Sequence, residues 1–373
     1  MKNLKTQTIL PLSALLLAVY TLIFPLQCSF YINRALKMCL QSLIPSLFPF
    51  IFLMRFYGLT KQTGTQGHLA LAASKITGVC PALCDVMVLG LFSGFPTGAV
   101  GTAAMYQRGL CSKADAERAI ALSNNCSAAF IISVVGAKII KSVKIGYLLL
   151  LSQTLSVITS AVIINLLFPK KRSGVSIKHP EKQADSKPLK FSEVFTFCIR
   201  ESVSAMLGIC GYVMFFSLLS GIIGDALLCP LEKLCTNSET LSAVSAVISG
   251  FFEMSFGVFA AETLNFPRNI LVCSLITGFS GIAVYFQVSE ICLKNGFSTN
   301  YFVFSHILCA ILNLLYTVAL LFILPDIFSK ADVTSKGLAA LSELLIPTAI
   351  CTFGVSAVAI KRIFSAKKKK TGE

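Results

Sequence analysis

Apolar residues along this chain are gathered into long runs, separated by short polar stretches. Ten hydrophobic segments can be distinguished, and a helix needs about 20 mostly apolar residues to cross a bilayer. In the first half they are 9–26, 38–57, 78–107, 119–137 and 146–168. In the second half they are 204–224, 241–261, 268–292, 301–324 and 339–360. The pattern predicts an all-α polytopic membrane protein.

Two of these segments contain glycine-rich interruptions near their centres. Segment 78–107 carries S-G-F-P-T-G-A at 93–99, and segment 241–261 carries S-G-F-F-E-M-S-F-G at 249–257. Glycine and proline favour a tight reversal of the backbone. Non-helical backbone at membrane depth is tolerated only where protein covers it or where it lines a wet cavity. Both segments are therefore predicted to be re-entrant hairpins.

The positive charges predict the orientation of the segments. Seven Lys and Arg residues fall in 170–190, and six more fall in 361–370. Both clusters adjoin apolar spans, so they are expected in the cytoplasm, as are Lys2 and Lys5. This requires an even number of crossings in each half, hence about eight crossings plus the two hairpins, with both termini cytoplasmic. Three lysines oppose this orientation, because they lie in a loop predicted outside: Lys138, Lys141 and Lys144.

The two halves follow one order, which predicts an inverted-topology repeat. Each contains an amphipathic approach (29–37 or 190–203), a crossing, a hairpin, an interrupted crossing and a clean crossing. The predicted domains are an N-terminal helix at 1–28, a first gate-like repeat at 29–168, a basic linker at 169–190, a second gate-like repeat at 191–325 and a C-terminal helix with a polybasic tail at 326–373.

Composition supports a membrane protein and excludes other classes. The chain is 55% hydrophobic and 13% charged, whereas a soluble domain has about a quarter charged residues. The net charge of +15 lies largely beside apolar spans, which indicates anionic lipid rather than nucleic acid as a partner. Residues 1–26 lack a signal-peptide cleavage site, so a retained helix is expected. No nucleophile motif, phosphate-binding loop or metal-ligand spacing is present, so neither an enzyme nor a cofactor is expected.

Broken helices and paired hairpins at matching positions point to a secondary transporter with its site near the bilayer midplane. The candidate stretches are 93–99, 123–127, 249–257 and 278–290. The residues predicted to bind the solute are Ser93, Gly94, Pro96, Thr97, Gly98, Asn124, Asn125, Glu253, Ser255, Gly278, Ser280 and Gln287. Glu253 and Asn125 are also candidates for coupling to Na⁺ or H⁺.

Two of these candidates have a structural alternative. Asn124 and Asn125 interrupt an apolar helix, and they either present amides to a solute or hydrogen-bond neighbouring helices. Glu253 lies at the predicted tip of the second hairpin, where an ionisable residue indicates function. Its alternative is a structural partner for a basic side chain or a backbone donor. Asp85, Arg200 and Glu201 are interpreted as interfacial.

Several motifs resemble those of the sporulation integral membrane proteins. These are L-I-P-S-L-F-P-F at 43–50, S-G-F-P-T-G-A at 93–99, A-E-R-A at 116–119 leading to N-N-C-S at 124–127, and Gln287-Val288 after a glycine-rich stretch. The resemblance covers about 30 to 325. The chain differs from the usual pattern at Cys126, where Ser-Gly-Pro commonly follows the Asn pair, and around Glu253, where Leu/x-Glu-Ile-Thr is usual.

The resemblance implies a role in sporulation. Such proteins belong to the wider nucleoside-recognition (gate) domain group, related to concentrative nucleoside transporters, and are associated with moving dipicolinic acid across the outer forespore membrane. A nucleoside or other small-solute carrier, and a non-transporting membrane scaffold needed for spore formation, are the alternatives. A homo-oligomer is compatible with either role.

Overall fold

The structure, a computed structural model, describes residues 2–60, 68–169, 191–234 and 238–324. Within these ranges every regular element is helical. The predicted crossing at 339–360 and both basic clusters, 170–190 and 361–370, lie outside the described residues.

Fourteen α-helices make up most of the described chain. They are α1 Lys2–Ile23, α2 Pro25–Met38, α3 Ile44–Thr60, α4 His68–Thr77, α5 Cys84–Ser93, α6 Thr97–Gln107, α7 Lys113–Ser123, α8 Val143–Leu167, α9 Phe191–Leu234, α10 Ser238–Phe252, α11 Met254–Ala260, α12 Arg268–Phe279, α13 Ile282–Lys294 and α14 Asn300–Ile323. Two π-helical segments, Cys39–Leu43 and Phe130–Ile139, and two 3₁₀ turns, Pro81–Leu83 and Ala261–Thr263, complete the described elements.

Five helical runs in the described part are long and apolar enough to cross a membrane. They are Pro25–Thr60, Val143–Leu167, Phe191–Ala226, Arg268–Lys294 and Asn300–Ile323. A sixth is added if Ala70–Thr77 and Pro81–Ser93, bent by 110°, form one span. The prediction of an all-α polytopic membrane protein is confirmed at this level, whereas the count of eight crossings stays a prediction.

The two amphipathic approaches are not separate elements. The first, 29–37, continues through the π-helical turn at Cys39–Leu43 into α3. The turn ends shortly before Pro45, whose missing N–H disturbs the regular hydrogen-bond ladder there. The described part of the second, 191–203, belongs to α9, a helix of 44 residues. Neither junction has a glycine or proline turn, and each added helical residue gains a hydrogen bond, so the helices continue.

The chain reverses direction at both glycine-rich interruptions. A Cβ placed on Gly90 would lie 2.9 Å from the Cα of Gly98, although eight residues of continuous helix span about 12 Å. A Cβ on Gly257 would likewise overlap the Cα of Gly250. Helices α5 and α6 therefore form one hairpin, and α10 and α11 form another. Glycine permits the close backbone contact that each pair makes.

The helices pack so that the two hairpins lie in the interior. Helix α14 contacts both α8 and α12, and α3 contacts both α6 and α9. Phe95, from the first hairpin, packs against two buried clusters, one built around α8 and α12 and the other around α5 to α7. The interior of the molecule is thus formed by the hairpins and the helices that follow them.

Candidate solute-binding site

Helix α7 begins with an N-cap serine and ends at the asparagine pair. The Asp115 N–H donates to Ser112 Oγ at 3.1 Å, the capping contact expected from these residues. The helix ends at Ser123, and residues 124–127 have no regular structure before the chain continues toward the π-helix Phe130–Ile139. The interruption therefore falls where the asparagines predicted it.

Donors from three other elements satisfy the backbone of this first break. They are Phe95 N of the first hairpin to Asn125 O at 3.1 Å, Gln153 Nε2 of α8 to Cys126 O at 2.9 Å and, in its Nε2–H tautomer, His306 Nε2 of α14 to Asn124 O at 2.7 Å. Carbonyls released from a helix in an apolar environment need such partners. These contacts hold the break in one position.

The asparagine amides bond to nearby backbone. Asn124 Oδ1 accepts from Ala99 N at 3.0 Å, and its Nδ2 donates to Ile120 O at 2.7 Å. Asn125 Nδ2 donates to Leu122 O at 2.7 Å. Asn124 therefore joins the end of α7 to the start of α6, a contact of the hydrogen-bonding kind that the sequence left open.

The tip of the first hairpin packs against the same break. Gly94 has φ +90° and lies against Ser127, where a Cβ would come 2.8 Å from the serine Cβ. The hydroxyls of Ser93 and Thr97 are 2.5 Å apart, and the Thr97 hydroxyl also donates to Gly94 O. Gly98 lies against the Ser123 backbone. Four predicted site residues thus form one compact turn.

Glu253 forms the tip of the second hairpin. Its backbone is extended, and its carboxylate accepts from Phe256 N at 2.9 Å, so it caps α11. The Ser255 amide and hydroxyl also interact with this carboxylate. Arg34 of α2 lies 4.8 Å from the centre of the Phe256 ring and attracts the carboxylate. Glu253 is buried at 3% exposure, with a donor set and a basic neighbour around it.

The second break lies between α12 and α13 and receives the second tip. Ser280 has φ +73° and Gly281 has φ +85°, both left-handed. A Cβ on Gly281 would come 3.0 Å from Gly250 O and 3.2 Å from Met254 N. Gly278 lies against the backbone of α14. Each half of the chain therefore packs its hairpin tip onto its own broken helix.

A cavity of about 170 Å³ lies between α3, α6, α9 and α13. Among the predicted site residues, Pro96 and Gln287 line it. Its charged side chains are Arg55, Glu201, Glu290 and Lys294. Arg55 and Glu201 are 3.6 Å apart, and Lys294 pairs with Glu290 at 2.7 Å. The remaining predicted site residues pack around the two tips.

Sequence reasoning did not find four side chains near these features: Arg34, Arg55, Gln153 and His306. Each is a single polar residue in or beside an apolar helix, and its partners lie far away in the chain. The contact between His306 and Asn124, for example, spans 182 residues. Glu201, interpreted as interfacial, lies in the cavity wall. In the described part, no group of three or more His, Cys, Asp or Glu is placed to hold a metal ion.

The long apolar helices and the many large apolar side chains on the surface indicate an integral membrane protein. The chain is 25% identical to sporulation integral membrane protein YlbJ of Bacillus subtilis (strain 168) over 314 residues, which cover 77% of this chain and 76% of the relative. The resemblance to sporulation integral membrane proteins is thereby confirmed. No family model and no solved structure matches the chain.

Proposed function

We propose that this protein is a secondary transporter of a small anionic aromatic solute, and that the solute is dipicolinic acid crossing the outer forespore membrane during sporulation. The observation that carries the proposal is the packing of a hairpin tip against a broken helix in each half. Both breaks contain backbone outside a helix in the protein interior, which is the arrangement that transporters use for binding sites.

The corresponding order of the two halves supports an inverted repeat. Hairpin α5–α6, broken helix α7 with its π-helical continuation, and α8 correspond to hairpin α10–α11, broken helix α12–α13, and α14. With both hairpins re-entrant, α3 and α9 crossing once, and the segments 9–26 and 339–360 added at the ends, the chain makes about eight crossings. Both termini and the basic linker then face the cytoplasm, where they attract anionic lipid.

The cavity between α3, α6, α9 and α13 suits a small charged ring. Its volume of about 170 Å³ is that of roughly six liquid water molecules, which fits a single-ring solute. Tyr212 offers an aromatic face, and Gln287 offers an amide. Its Arg and Lys side chains offer the charge that a carboxylate requires.

Glu253 is the proposed coupling group, with H⁺ or Na⁺ as the coupling ion, and Asn125 of the first break is the second candidate. Its carboxylate is buried at a hairpin tip, and ionisable residues at membrane depth mark ion pathways. The oppositely charged Arg34 would balance the carboxylate whenever the coupling ion is absent.

The test is the dipicolinate content of spores that lack this protein while dipicolinate synthesis remains intact. A transporter for dipicolinate predicts spores with strongly reduced content and accumulation of the compound in the mother cell. Normal spore content would reject this substrate. A comparison of the uptake of labelled dipicolinate and labelled uridine into proteoliposomes then shows whether the protein transports dipicolinate or a nucleoside.

A membrane scaffold is distinguished from a carrier by substitutions at the two tips. Glu253→Gln and Asn124→Ala, at preserved expression, leave a scaffold's role in spore formation intact. In a carrier both reduce solute uptake.

A further inference from the structure

The cavity at α3, α6, α9 and α13 contains a basic side chain whose hydrogen-bonding capacity is only partly used. Arg55 Nε is buried and has no hydrogen-bond partner among the residues that the structure describes. Its Nη1 is 3.6 Å from Glu201 Oε2, beyond the 2.7–2.9 Å of a charge-assisted hydrogen bond. A guanidinium carries five N–H donors in a planar fork. Arg55 is therefore only loosely paired.

The other ion pair at the cavity, between Lys294 and Glu290, is at hydrogen-bond distance. Lys294 Nζ lies 2.7 Å from Glu290 Oε1, four residues earlier on α13, and Tyr212 OH donates to Glu290 Oε2 at 3.3 Å. Lys294 is also largely exposed, at 71% of its side chain, whereas the Arg55 side chain is 22% exposed. Of the two basic groups, Arg55 is the more desolvated and has the more donors left to offer.

The position of Arg55 places it between the mouth of the cavity and the first hairpin tip. At one end of the cavity lie Pro96, at the hairpin tip, and Gln287, in the middle of α13. At the other end lie Gln107 and Asn295, where α6 and α13 finish, and these two side chains hydrogen-bond each other at 2.8 Å. In the predicted orientation those helix ends face the cytoplasm. A solute that entered there would meet Arg55 before it reached Pro96.

We infer that Arg55 is the carboxylate-binding residue of this cavity and that Glu201 competes with the solute for it. The ligand class is a small organic anion with a planar carboxylate, because a guanidinium fork matches the two oxygens of that group. Glu201 forms a loose ion pair with Arg55 when the cavity is empty, and the carboxylate of the solute displaces Glu201 when it binds. This inference rests on the proposed function, since it names the residue that recognises the solute.

The competition has a consequence for charge. Arg55, Lys294, Glu201 and Glu290 together sum to zero formal charge. A carboxylate that displaces Glu201 leaves that side chain unpaired beside an added negative charge. Removing the charge of Glu201 therefore strengthens binding of the anion, and removing the charge of Arg55 weakens it.

The experiment measures binding by calorimetry to the purified full chain in detergent, with dipicolinate, benzoate and uridine as probes. The variants are Arg55→Gln, Arg55→Lys and Glu201→Gln. Lys113→Gln is the matched control, because Lys113 is an exposed basic residue outside the cavity. Circular dichroism melts show whether each variant is folded.

The expected result is a loss of carboxylate binding of at least tenfold in Arg55→Gln and a smaller loss in Arg55→Lys, which keeps the charge but not the fork. Glu201→Gln should bind carboxylates several-fold more tightly, and Lys113→Gln should match the wild type. Uridine binding, where present, should not change in any folded variant.

The outcomes separate the inference from the proposed function. If the wild type binds dipicolinate and folded Arg55→Gln binds it as well as Lys113→Gln does, the inference is overturned and the proposed solute stands. If the wild type binds benzoate through Arg55 but not dipicolinate, the inference stands and the solute is wrong. If it binds neither carboxylate, both are overturned. If Arg55→Gln does not fold, Arg55→Lys and Glu201→Gln decide, and unchanged carboxylate binding in both overturns the inference.

Discussion

The two hairpin–break pairs are built alike in backbone but differently in side chains. In the first half, the break at 124–127 is held by side chains and amides from α14, α8 and the first hairpin, and the tip carries only neutral groups. In the second half, the break at Ser280 and Gly281 depends on left-handed backbone conformations, and the tip carries the carboxylate of Glu253.

This difference assigns different tasks to the two halves. Hydrogen bonds from three elements fix the first break and make it a rigid support. The second pair has a charge at its tip and glycine contacts at its break. A charge that can be bound or released is what an ion-coupled carrier requires of a moving part. In the proposed carrier, we therefore expect the first pair to be the fixed support and the second pair to be the part that moves.

The largest expected effect comes from the glycine contacts that both halves share. Gly98→Ala and Gly257→Ala each insert a Cβ into neighbouring backbone, at Ser123 and Gly250 respectively. Backbone cannot move aside as a side chain can, so we expect each substitution to lower the unfolding free energy by about 3 kcal/mol. Thermal melts by circular dichroism measure this effect.

Gly211→Ala is the matched control for both glycine substitutions. Nothing lies within 4 Å of a Cβ at Gly211 in α9. It should be neutral or stabilising by about 0.5–1 kcal/mol, since alanine favours a helix. A small effect at only one of the two hairpin glycines would show that the two reversals are not equivalent.

His306→Phe tests the side-chain support of the first break. It leaves Asn124 O without its donor from α14, and an unsatisfied buried acceptor costs about 1–3 kcal/mol. We expect a lower melting temperature of the purified protein. The control is Asn300→Ala at the half-buried start of α14, and a melting temperature of His306→Phe equal to that of the control would mean that the break does not depend on this contact.

Glu253→Gln tests the charge of the second tip. The amide oxygen can still accept from Phe256 N, so we expect a melting temperature close to that of the wild type. Uptake of the solute in proteoliposomes should fall at least tenfold, which corresponds to about 1.4 kcal/mol. The reverse pattern, with normal uptake and lost stability, would make Glu253 a structural cap only.

Ser280→Gly has the smallest expected effect. Ser280 is left-handed, a conformation that glycine adopts without the cost borne by other residues. Among the described residues, the hydrogen bond of its hydroxyl goes to Thr277 O of α12, at 3.3 Å. The substitution should change the unfolding free energy by less than about 1 kcal/mol and should not destabilise. A destabilisation above that value in the same melts would indicate an unrecognised role of the hydroxyl.

Hydropathy and glycine pattern were sufficient to predict the helical architecture and where the chain reverses. Segments 78–107 and 241–261 reverse at the expected motifs, and the helix before Asn124 ends at the expected residue. These features are local, because they depend on residues that lack a Cβ or an amide hydrogen, or that compete for backbone hydrogen bonds.

The hydrogen-bond partners of single polar residues could not be predicted from the sequence. Gln153 and His306 are isolated in apolar helices, and only the packing of α8 and α14 brings them to the first break. The cavity was missed for the same reason, since Arg55 and Glu201 meet across two helices whose register no local pattern specifies. The continuity of α2 with α3 was also missed, because no local signal distinguishes an approach from the helix that follows.

Labelling of single cysteines from each side of the membrane tests the re-entry of both hairpins. In a protein whose fourteen cysteines are replaced, an exposed position flanking each end of a hairpin receives one cysteine. The four are Lys75→Cys and Lys113→Cys for the first hairpin, and Ser238→Cys and Thr263→Cys for the second. An impermeant maleimide should label the first pair only from the cytoplasmic side and the second pair only from the opposite side. Labelling of the two members of either pair from opposite sides would mean that the segment between them crosses the bilayer, and the paired architecture would not exist.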